Sequence, residues 1–428
     1  MERFFQLNKQ GTTIRKELLA GTISFFTIVY IVVVNASILT DAGIPLEAGI
    51  LATVLSSFVG CLIMGFFGNT PIIVVPGMGV NALFTYTICQ SMGLTWQEGL
   101  AVVFVSGILF SIIAFTKLSH IISDAIPSSL KEAITVGIGI FLTFIGLQKG
   151  GIVVGSETTF VALGNMTDLH VLATVITLIL TVILFARNVP GNFLISMVMG
   201  TLIAWMFGLI ENQAATSSNF SFTDYLSVFG AMSFDRFFDV VFWTATFSLT
   251  MVIVFENIGL VHGHVQMINQ PERYKKSLQS TSLSTITCGI FGTSPTVATV
   301  ETASGITAGG RTGLTAITTG MLFFLSLFFI PFVKLVPDSA IAPILILIGG
   351  LMIQNIQNIN LKDFTESFPA FLIITLIPLT YSIVDGMAFG FIAYPLIKIA
   401  MNRHKEVTLP LYIIALLFLA NFIAHSLH

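Results

Sequence analysis

An apolar run of transmembrane length, Val240-Val-Phe-Trp-Thr-Ala-Thr-Phe-Ser-Leu-Thr-Met-Val-Ile-Val-Phe-Glu-Asn-Ile-Gly-Leu-Val261, carries a single carboxylate, Glu256. A carboxylate at membrane depth costs about 2.5–3.5 kcal/mol on insertion scales, so it is retained where it faces a polar cavity. A second isolated carboxylate, Glu301, follows within residues 293–310. Together the two acids predict a binding site within the membrane.

The composition is that of a membrane protein. The 428 residues are 55% hydrophobic and 9% charged, with a mean hydropathy of +0.94, whereas soluble domains carry about 25% charged residues. Apolar stretches of about 17–25 residues, the length that spans a bilayer, recur along the chain. The longest polar stretch, 211–235, is too short for a separate soluble domain. A lipid bilayer is the expected environment, and no nucleic-acid partner is expected.

Neither an enzyme nor a metal centre is expected. The cysteines Cys61, Cys89 and Cys288 are far apart and form no Cys-x-x-Cys motif. His262 and His264 stand two residues apart, a spacing that does not share a helix face, and we expect them in a solvated loop. The sequence contains no nucleophile–base pair or metal cluster, so no cofactor is predicted.

The apolar runs predict helices at about 18–40, 47–67, 78–91, 97–116, 129–147, 169–186, 192–210, 238–262, 277–291, 301–309, 313–334, 340–355, 368–384 and 386–401, and a further run covers about 408–426. With a cytoplasmic N-terminus, all of the 18 lysines and arginines fall in inside loops except Lys149, Arg236 and Lys334, which fits the positive-inside rule. Residues 1–16 lack the apolar core of a signal peptide. We therefore expect a multi-pass protein of the cell (inner or plasma) membrane.

Two predicted segments are too short to cross as ordinary helices. In the first, Ile72-Ile-Val-Val75 is β-branched and lies between Pro71 and Pro76, which favours an extended strand. In the second, the β-prone residues 295–300 precede Glu301. Extended backbone at membrane depth is tolerated where it is buried in protein or lines a cavity. Paired interruptions in the two halves of a chain are typical of a transporter site.

The two halves of the chain resemble each other in order. A segment that ends at Asn35 matches one that ends at Asn257 with a constant offset of 222 residues. The matching residues are Thr22, Phe25, Ile31, Val32 and Asn35 against Thr244, Phe247, Ile253, Val254 and Asn257. Prolines follow in the same order, Pro71 with Pro295 and Pro127 with Pro337. The first helices of the two halves run in opposite directions, so the repeat is inverted. Asn35 and Asn257 are expected to make structural hydrogen bonds.

Asn81 stands in the first interrupted segment, two residues after Gly79, in a half-helix that corresponds to the one after Glu301. The N-termini of these half-helices would present free backbone N–H groups and positive dipole ends to a polar ligand. Gly79 would let the ligand approach the backbone closely. Structural alternatives stay open: an interhelical hydrogen bond for Asn81, a helix cap for Glu301 and a pairing with a neighbouring helix for Glu256.

Three motifs carry a resemblance to a known family. They are Pro76-Gly-Met-Gly-Val-Asn-Ala-Leu-Phe84, Phe255-Glu-Asn-Ile-Gly259 and Thr293-Ser-Pro…Val300-Glu-Thr-Ala-Ser-Gly-Ile-Thr-Ala-Gly-Gly-Arg-Thr-Gly313. This set resembles the nucleobase:cation symporter-2 family. The last motif, with Pro378-Leu-Thr-Tyr-Ser-Ile-Val-Asp-Gly-Met-Ala-Phe-Gly390, is most similar to the azaguanine-type purine (guanine/hypoxanthine) permease branch. The resemblance covers essentially the whole chain.

The resemblance implies an all-α polytopic membrane protein of about 14 transmembrane segments in two inverted seven-helix repeats, with short extended stretches in segments 3 and 10. A core domain, residues 1–124 and 236–335, would carry the substrate against a gate domain, residues 125–235 and 336–428. A homodimer is common in the family.

Motif matching assigns the substrate positions to Asn81, Glu256 and Glu301, with Thr299, Val300 and Gly79 as further contacts. Glu256 departs from the aspartate that is usual in the purine branch and is more similar to the uracil and xanthine branch. That branch often has histidine where this chain has Leu260. The choice of substrate among the bases is therefore open.

We expect a secondary active transporter that imports purine nucleobases, first guanine and hypoxanthine, by symport with the proton as coupling ion. A carboxylate accepts the paired N–H donors on one edge of a base, and a buried acid exchanges a proton near neutral pH. Glu256 is expected to bind the base and Glu301 to couple binding to protonation, although the roles could be exchanged. The alternatives are a transporter of adenine, xanthine or uracil, or an anion transporter of the same fold, which two acids disfavour.

Overall fold

The structure of the chain is a computed structural model, which describes residues 2–118, 125–210 and 225–426. The predicted domain boundary at 124/125 borders residues outside this part. Most of the predicted polar stretch, residues 211–224, also lies outside it. Helices make up most of the described residues, as the composition predicts.

The first half consists of a short N-terminal helix and seven segments. Their bounds are α1 Glu2–Phe5, α2 Ile14–Ile28 with α3 Ile31–Asp41, α4 Leu46–Ile63, strand β1 Val74–Pro76 with α5 Met78–Ala82, α6 Trp96–Phe115, α7 Ser128–Lys149, α8 Leu169–Ala186 and α9 Asn192–Met206. α4 and α5 continue as wider π-type helix over Met64–Gly68 and Leu83–Ser91. A hairpin of β2 (Val153–Ser156) and β3 (Phe160–Leu163) joins α7 to α8.

The second half follows the same order. Its elements are α10 Val240–Met267, α11 Tyr274–Phe291, β4 Thr296–Ala298 with α12 Thr302–Thr307, α13 Gly313–Leu325, α14 Ile330–Val333, α15 Asp338–Ile353, α16 Phe364–Thr380, α17 Ile383–Ala400 and α18 Leu409–Ser426, with 3₁₀ turns at Pro271–Arg273, Ser326–Phe329, Gln354–Asn358 and His404–Glu406. By length and composition, nine helical stretches in the described ranges can span a membrane. The protein is thus a multi-pass membrane protein.

The helices pack into two groups that follow the predicted core and gate domains. In the core group, α11 packs along α6 and α4, and α13 packs along α2 and α4. In the gate group, α15 packs along α7, and α16 packs along α7 and α17. α8 and α9 join the gate group by packing on each other and on α15. The residue boundaries of the domains stay predictions.

The two interrupted segments meet as a pair of strands. β1 pairs antiparallel with β4, so that Val74 lies opposite Ala298 and Pro76 lies opposite Thr296. Both strands are buried in the core group, which agrees with the rule that extended backbone at membrane depth needs protein around it. Because α5 follows β1 and α12 follows β4, both short helices begin next to this strand pair. The predicted extended stretches in segments 3 and 10 are confirmed.

The repeat-related asparagines make the structural hydrogen bonds that were predicted. The Asn257 side chain accepts the N–H of Ala298 at 2.9 Å and donates to the carbonyl of Ile253 at 2.8 Å. The Asn35 side chain donates to the Thr293 hydroxyl at 3.0 Å. Both asparagines are fully buried, where an amide without partners costs free energy. These bonds therefore fix β4 and the turn before it against the first helices of the two repeats.

The histidine pair lies in a helix, which corrects the predicted solvated loop. α10 continues to Met267, so His262 and His264 belong to its last turns. The His262 ring contacts Tyr274 with centroids 5.8 Å apart, and His264 is buried. An apolar run indicates the part of a helix inside the membrane. It does not show how far the helix extends beyond it, because the continuing residues include histidine, glycine and glutamine and break the apolar pattern.

The apolar run at 408–426 forms an additional helix, α18. It packs antiparallel to α17, because Phe418 lies 5.8 Å from Phe391 and Phe422 lies 5.1 Å from Phe389 between ring centroids. Phe418 also lies 5.8 Å from Phe247 of α10. After two repeats of seven segments, α18 is a fifteenth segment in the described part of the chain.

Candidate substrate site

A cavity of about 1550 Å³ lies between the core and gate groups. Both interrupted segments border it, and its walls come from α2, α7, α9, α10 and α15. The cavity extends to the loop at Asn188 and to Pro271. We call this side of the molecule the basic face, since the loops with Arg187 and Arg273 lie there.

Glu256 borders this cavity from the middle of α10. Its neighbours Val254 and Asn257 are buried on other sides of the helix. Within the described ranges, no residue donates a hydrogen bond to the Glu256 carboxylate. Both of its oxygens are therefore available to a ligand with paired donors.

Glu301 borders the cavity from the second interrupted segment, directly before α12. Its Oε1 accepts a hydrogen bond from the Tyr30 hydroxyl at 2.7 Å. Tyr30 stands between α2 and α3 and is 1% exposed. The Glu301 side chain makes no cap bond to α12, so the structure does not support the alternative of a helix cap. Tyr30 instead fixes the direction of the carboxylate.

The two acids bring like charges to one cavity. In the described part of the chain, no ion pair involves either of them. Lys131 and Glu132 also line the cavity, and the Lys131 ammonium lies 5.9 Å from the centroid of the Phe255 ring. Two carboxylates in one desolvated space repel each other when both are charged. A proton or a donor-rich ligand relieves this repulsion.

The structure brings five of the six predicted contact residues around the cavity: Glu256, Glu301, Thr299, Val300 and Gly79. Asn81 does not line it. Asn81 is fully buried in α5, and its amide donates to the Asn35 carbonyl at 3.5 Å. Its Oδ1 has no hydrogen-bond partner among the described residues. The role of Asn81 in binding substrate stays a prediction.

The sequence analysis did not single out Tyr30 and Phe193. The Tyr30 ring packs on Phe193 of α9 with centroids 4.8 Å apart and an interplanar angle of 56°. A tyrosine inside an apolar membrane segment is a signal, because its buried hydroxyl needs a partner. The sequence could not show that the partner is Glu301, since 271 positions separate the two residues.

An ion pair joins the core and gate groups outside the cavity. Lys149, at the end of α7, forms an ion pair with Asp41 at the end of α3, with an N–O distance of 2.9 Å. Lys149 also lies 3.8 Å from Asp338 at the start of α15. The Tyr86 hydroxyl donates to Asp41 at 2.7 Å. None of these residues lines the cavity, which instead extends to the loops of the basic face.

A family model described as a permease family (Xan_ur_permease) matches residues 15–389, a range that contains both interrupted segments and both cavity acids. The chain belongs to this family. It is the nucleobase:cation symporter-2 family, so the resemblance read from the motifs is confirmed. The chain is a membrane permease of this family, and its relatives are named as transporters and permeases rather than as enzymes.

Three relatives illustrate the range of the family. The permease is 52% identical to the nucleobase transporter PlAzg2 of Paenibacillus larvae, over 89% of this chain and 77% of that one. It is 38% identical to the guanine/hypoxanthine permease PbuO of Bacillus subtilis, over 97% and 98%. It is 35% identical to the adenine permease AdeP of Escherichia coli, over 100% and 97%.

A solved structure agrees with the fold. The transmembrane domain of the cyanobacterial bicarbonate transporter BicA aligns with a TM-score of 0.64 at 16% identity, over 88% of this chain and 97% of that one. At this identity the likeness shows the architecture alone. The predicted helical fold with core and gate domains is therefore confirmed.

Proposed function

We propose that this permease binds a purine base in the cavity between the core and gate groups and imports it together with protons. The observation that carries the proposal is Glu256, which borders the cavity and accepts no hydrogen bond from a described residue. A neutral base enters a membrane site at lower cost than an ion. Guanine offers two adjacent N–H donors on one edge, which a carboxylate accepts with both oxygens.

Guanine and hypoxanthine are the substrates that we propose first. The relatives include a guanine/hypoxanthine permease and an adenine permease of similar identity. Whether the Glu256 carboxyl group is charged or protonated distinguishes guanine from adenine as the substrate. A charged carboxylate suits the donor pair of guanine and the single N1–H donor of hypoxanthine, whereas adenine offers a donor beside a ring-nitrogen acceptor and suits a protonated acid. Adenine, xanthine and uracil are the alternatives that uptake has to exclude.

The proton is the proposed coupling ion, with Glu301 as the group that binds it. A neutral base accumulates against its gradient only when a cation moves with it. Glu301 is the second acid that borders the cavity. Its carboxylate accepts a hydrogen bond from the neutral hydroxyl of Tyr30 and does not pair with a cation among the described residues. A proton can bind there without the cage of oxygen atoms that sodium needs. We assign base binding to Glu256 and coupling to Glu301.

We propose that the basic face is cytoplasmic, as the distribution of lysine and arginine favours. The N-terminus then lies in the cytoplasm, and the cavity extends toward the cytoplasm. The homodimer that the family resemblance implies stays a prediction.

Uptake of labelled guanine, hypoxanthine, adenine, xanthine, uracil and sulfate tests the proposal. The cells express the permease and lack purine uptake of their own, and cells without the permease set the background. Saturable uptake of guanine and hypoxanthine, each competing with the other, is the expected result. Uptake of sulfate without any base would overturn the proposal, and uptake of adenine alone would correct the substrate.

A further inference from the structure

Tyr30 connects the two groups of helices at the site. Its hydroxyl donates to Glu301, within the core group, at 2.7 Å. Its ring packs on Phe193 of α9, in the gate group, with centroids 4.8 Å apart. Tyr30 is 1% exposed and Phe193 is 6% exposed. Because buried side chains are closely packed, neither ring can be displaced without effect on the other.

We propose that Tyr30 is a positioning residue that transmits the protonation state of Glu301 to the contact between the core and gate groups. The inference rests on the proposed function, since it gives the coupling proton a mechanical effect. It requires no contact between Tyr30 and the base.

The hydrogen bond responds to protonation because a carboxylate is a stronger acceptor than a neutral carboxyl group. With Glu301 charged, the Tyr30 hydroxyl is held toward the core group while the ring lies against Phe193. With Glu301 protonated, that bond weakens and the ring contact with Phe193 is free to change. Alternating access requires one rigid group to move against the other, so a proton on Glu301 eases that motion.

Other ionisable groups face Glu301 across the cavity. They are Lys131 and Glu132 from α7, Glu256 and His262 from α10, and Tyr274 from α11. Where α2, α9, α12 and α15 line the cavity, their described residues contribute no acidic or basic side chain. These groups can also affect the pH dependence of guanine binding. Matched variants are therefore needed to identify the contribution of Tyr30.

Two variants separate the role of the Tyr30 hydroxyl from that of its ring, and a third variant is the control. Tyr30→Phe removes the hydroxyl and keeps the aromatic contact, whereas Phe193→Leu removes the aromatic contact and keeps the hydroxyl. Tyr394→Phe is the matched control, because the Tyr394 hydroxyl also donates to a carboxylate, Glu366, at 2.7 Å and does not line the cavity. Each variant is purified and reconstituted into vesicles. Guanine binding over a pH series, guanine exchange and proton-driven accumulation are then measured.

Tyr30→Phe is expected to lower the ratio of accumulation to exchange about tenfold, the effect of losing one hydrogen bond to a charged group. It also moves the pH dependence of guanine binding toward alkaline pH, because the charged carboxylate has lost a donor. Phe193→Leu lowers the same ratio and leaves the pH dependence of binding unchanged. Tyr394→Phe changes neither quantity.

An unchanged ratio in both Tyr30→Phe and Phe193→Leu overturns the inference while the proposed function stands. If Tyr30→Phe does not fold, the ratio of accumulation to exchange in Phe193→Leu alone tests the inference, and an unchanged ratio overturns it. An equal loss of binding, exchange and accumulation in a folded Tyr30→Phe protein also overturns the inference, because it indicates a structural role only. A wild-type protein that neither binds nor transports any base overturns the proposed function, and the inference with it.

Discussion

Glu256 and Glu301 border the same cavity from segments of different kinds, the first from the middle of a continuous helix and the second from the end of a strand. Tyr30 donates a hydrogen bond to Glu301, whereas no described residue donates one to Glu256. A carboxylate with free oxygens suits a ligand that carries donors. A carboxylate with a fixed neutral partner suits a change of protonation.

Glu256→Gln is expected to abolish uptake of guanine and hypoxanthine and to leave the protein folded in the membrane. The amide replaces one of the two acceptor oxygens with a donor, so it opposes the donor pair of guanine. It is also a weaker acceptor than a carboxylate for the single N1–H donor of hypoxanthine. Initial rates of uptake, normalised to the amount of protein in the membrane, check this expectation. Glu157→Gln is the matched control, since Glu157 is exposed in the hairpin between α7 and α8. Near-normal uptake by Glu256→Gln would contradict a role in binding.

Asn81→Ala is expected to weaken or reshape substrate selection more than it harms folding. Asn81 is buried in α5 without lining the cavity, and its Oδ1 lacks a partner among the described residues. Loss of a neutral hydrogen bond costs about 0.5–1.5 kcal/mol, which is about twofold to tenfold in affinity. Competition of unlabelled bases against labelled guanine measures the change. The same affinity and order of bases as wild type would make Asn81 a structural residue.

Uptake is expected to collapse when the proton gradient is dissipated and to persist without sodium. Glu301→Gln, which mimics the protonated acid, should still exchange base across the membrane and should lose uphill accumulation. Exchange and accumulation are measured in the same vesicles, with a protonophore in one arm and sodium removed in the other. Accumulation that depends on sodium and survives the protonophore would show that the proton mechanism is wrong.

Lys398→Met is expected to destabilise the gate group. Lys398 is fully buried at the end of α17, and its ammonium lies 2.7 Å from carboxylate oxygens of both Glu366 and Glu406. Removing one partner of a buried ion pair costs about 3–5 kcal/mol, and the partial exposure of the two acids places the cost near the lower end. Thermal unfolding in detergent measures the loss.

Lys362→Met is the control for that measurement, because Lys362 is exposed on the loop before α16. The double variant Lys398→Met with Glu366→Gln is expected to recover part of the lost stability, since it removes one of the two stranded charges. Equal unfolding temperatures for Lys398→Met and Lys362→Met would show that the buried ion pair contributes little.

The sequence was sufficient for the broken segments because proline and β-branched residues act locally: Pro71 and Pro295 mark where extended backbone begins. It was also sufficient to predict that the two acids border one site, since a lone carboxylate in an apolar run has few structural explanations. The roles of these acids stay predictions. It could not pair Tyr30 with Glu301 or with Phe193, because those contacts join distant parts of the chain. It placed His262 and His264 in a loop because these two histidines and Gly263 interrupt the apolar run, although the helix continues beyond them.

The helix α18 has a consequence for topology. An even number of crossings returns a chain to the side on which it started, and α18 adds one segment to the fourteen that the described ranges contain before it. With a cytoplasmic N-terminus, the last described residues of α18 therefore lie on the external side of the membrane. A reporter that fluoresces only in the cytoplasm would be bright when fused before Glu2 and dark when fused after α18, and a periplasmic phosphatase reporter would show the reverse.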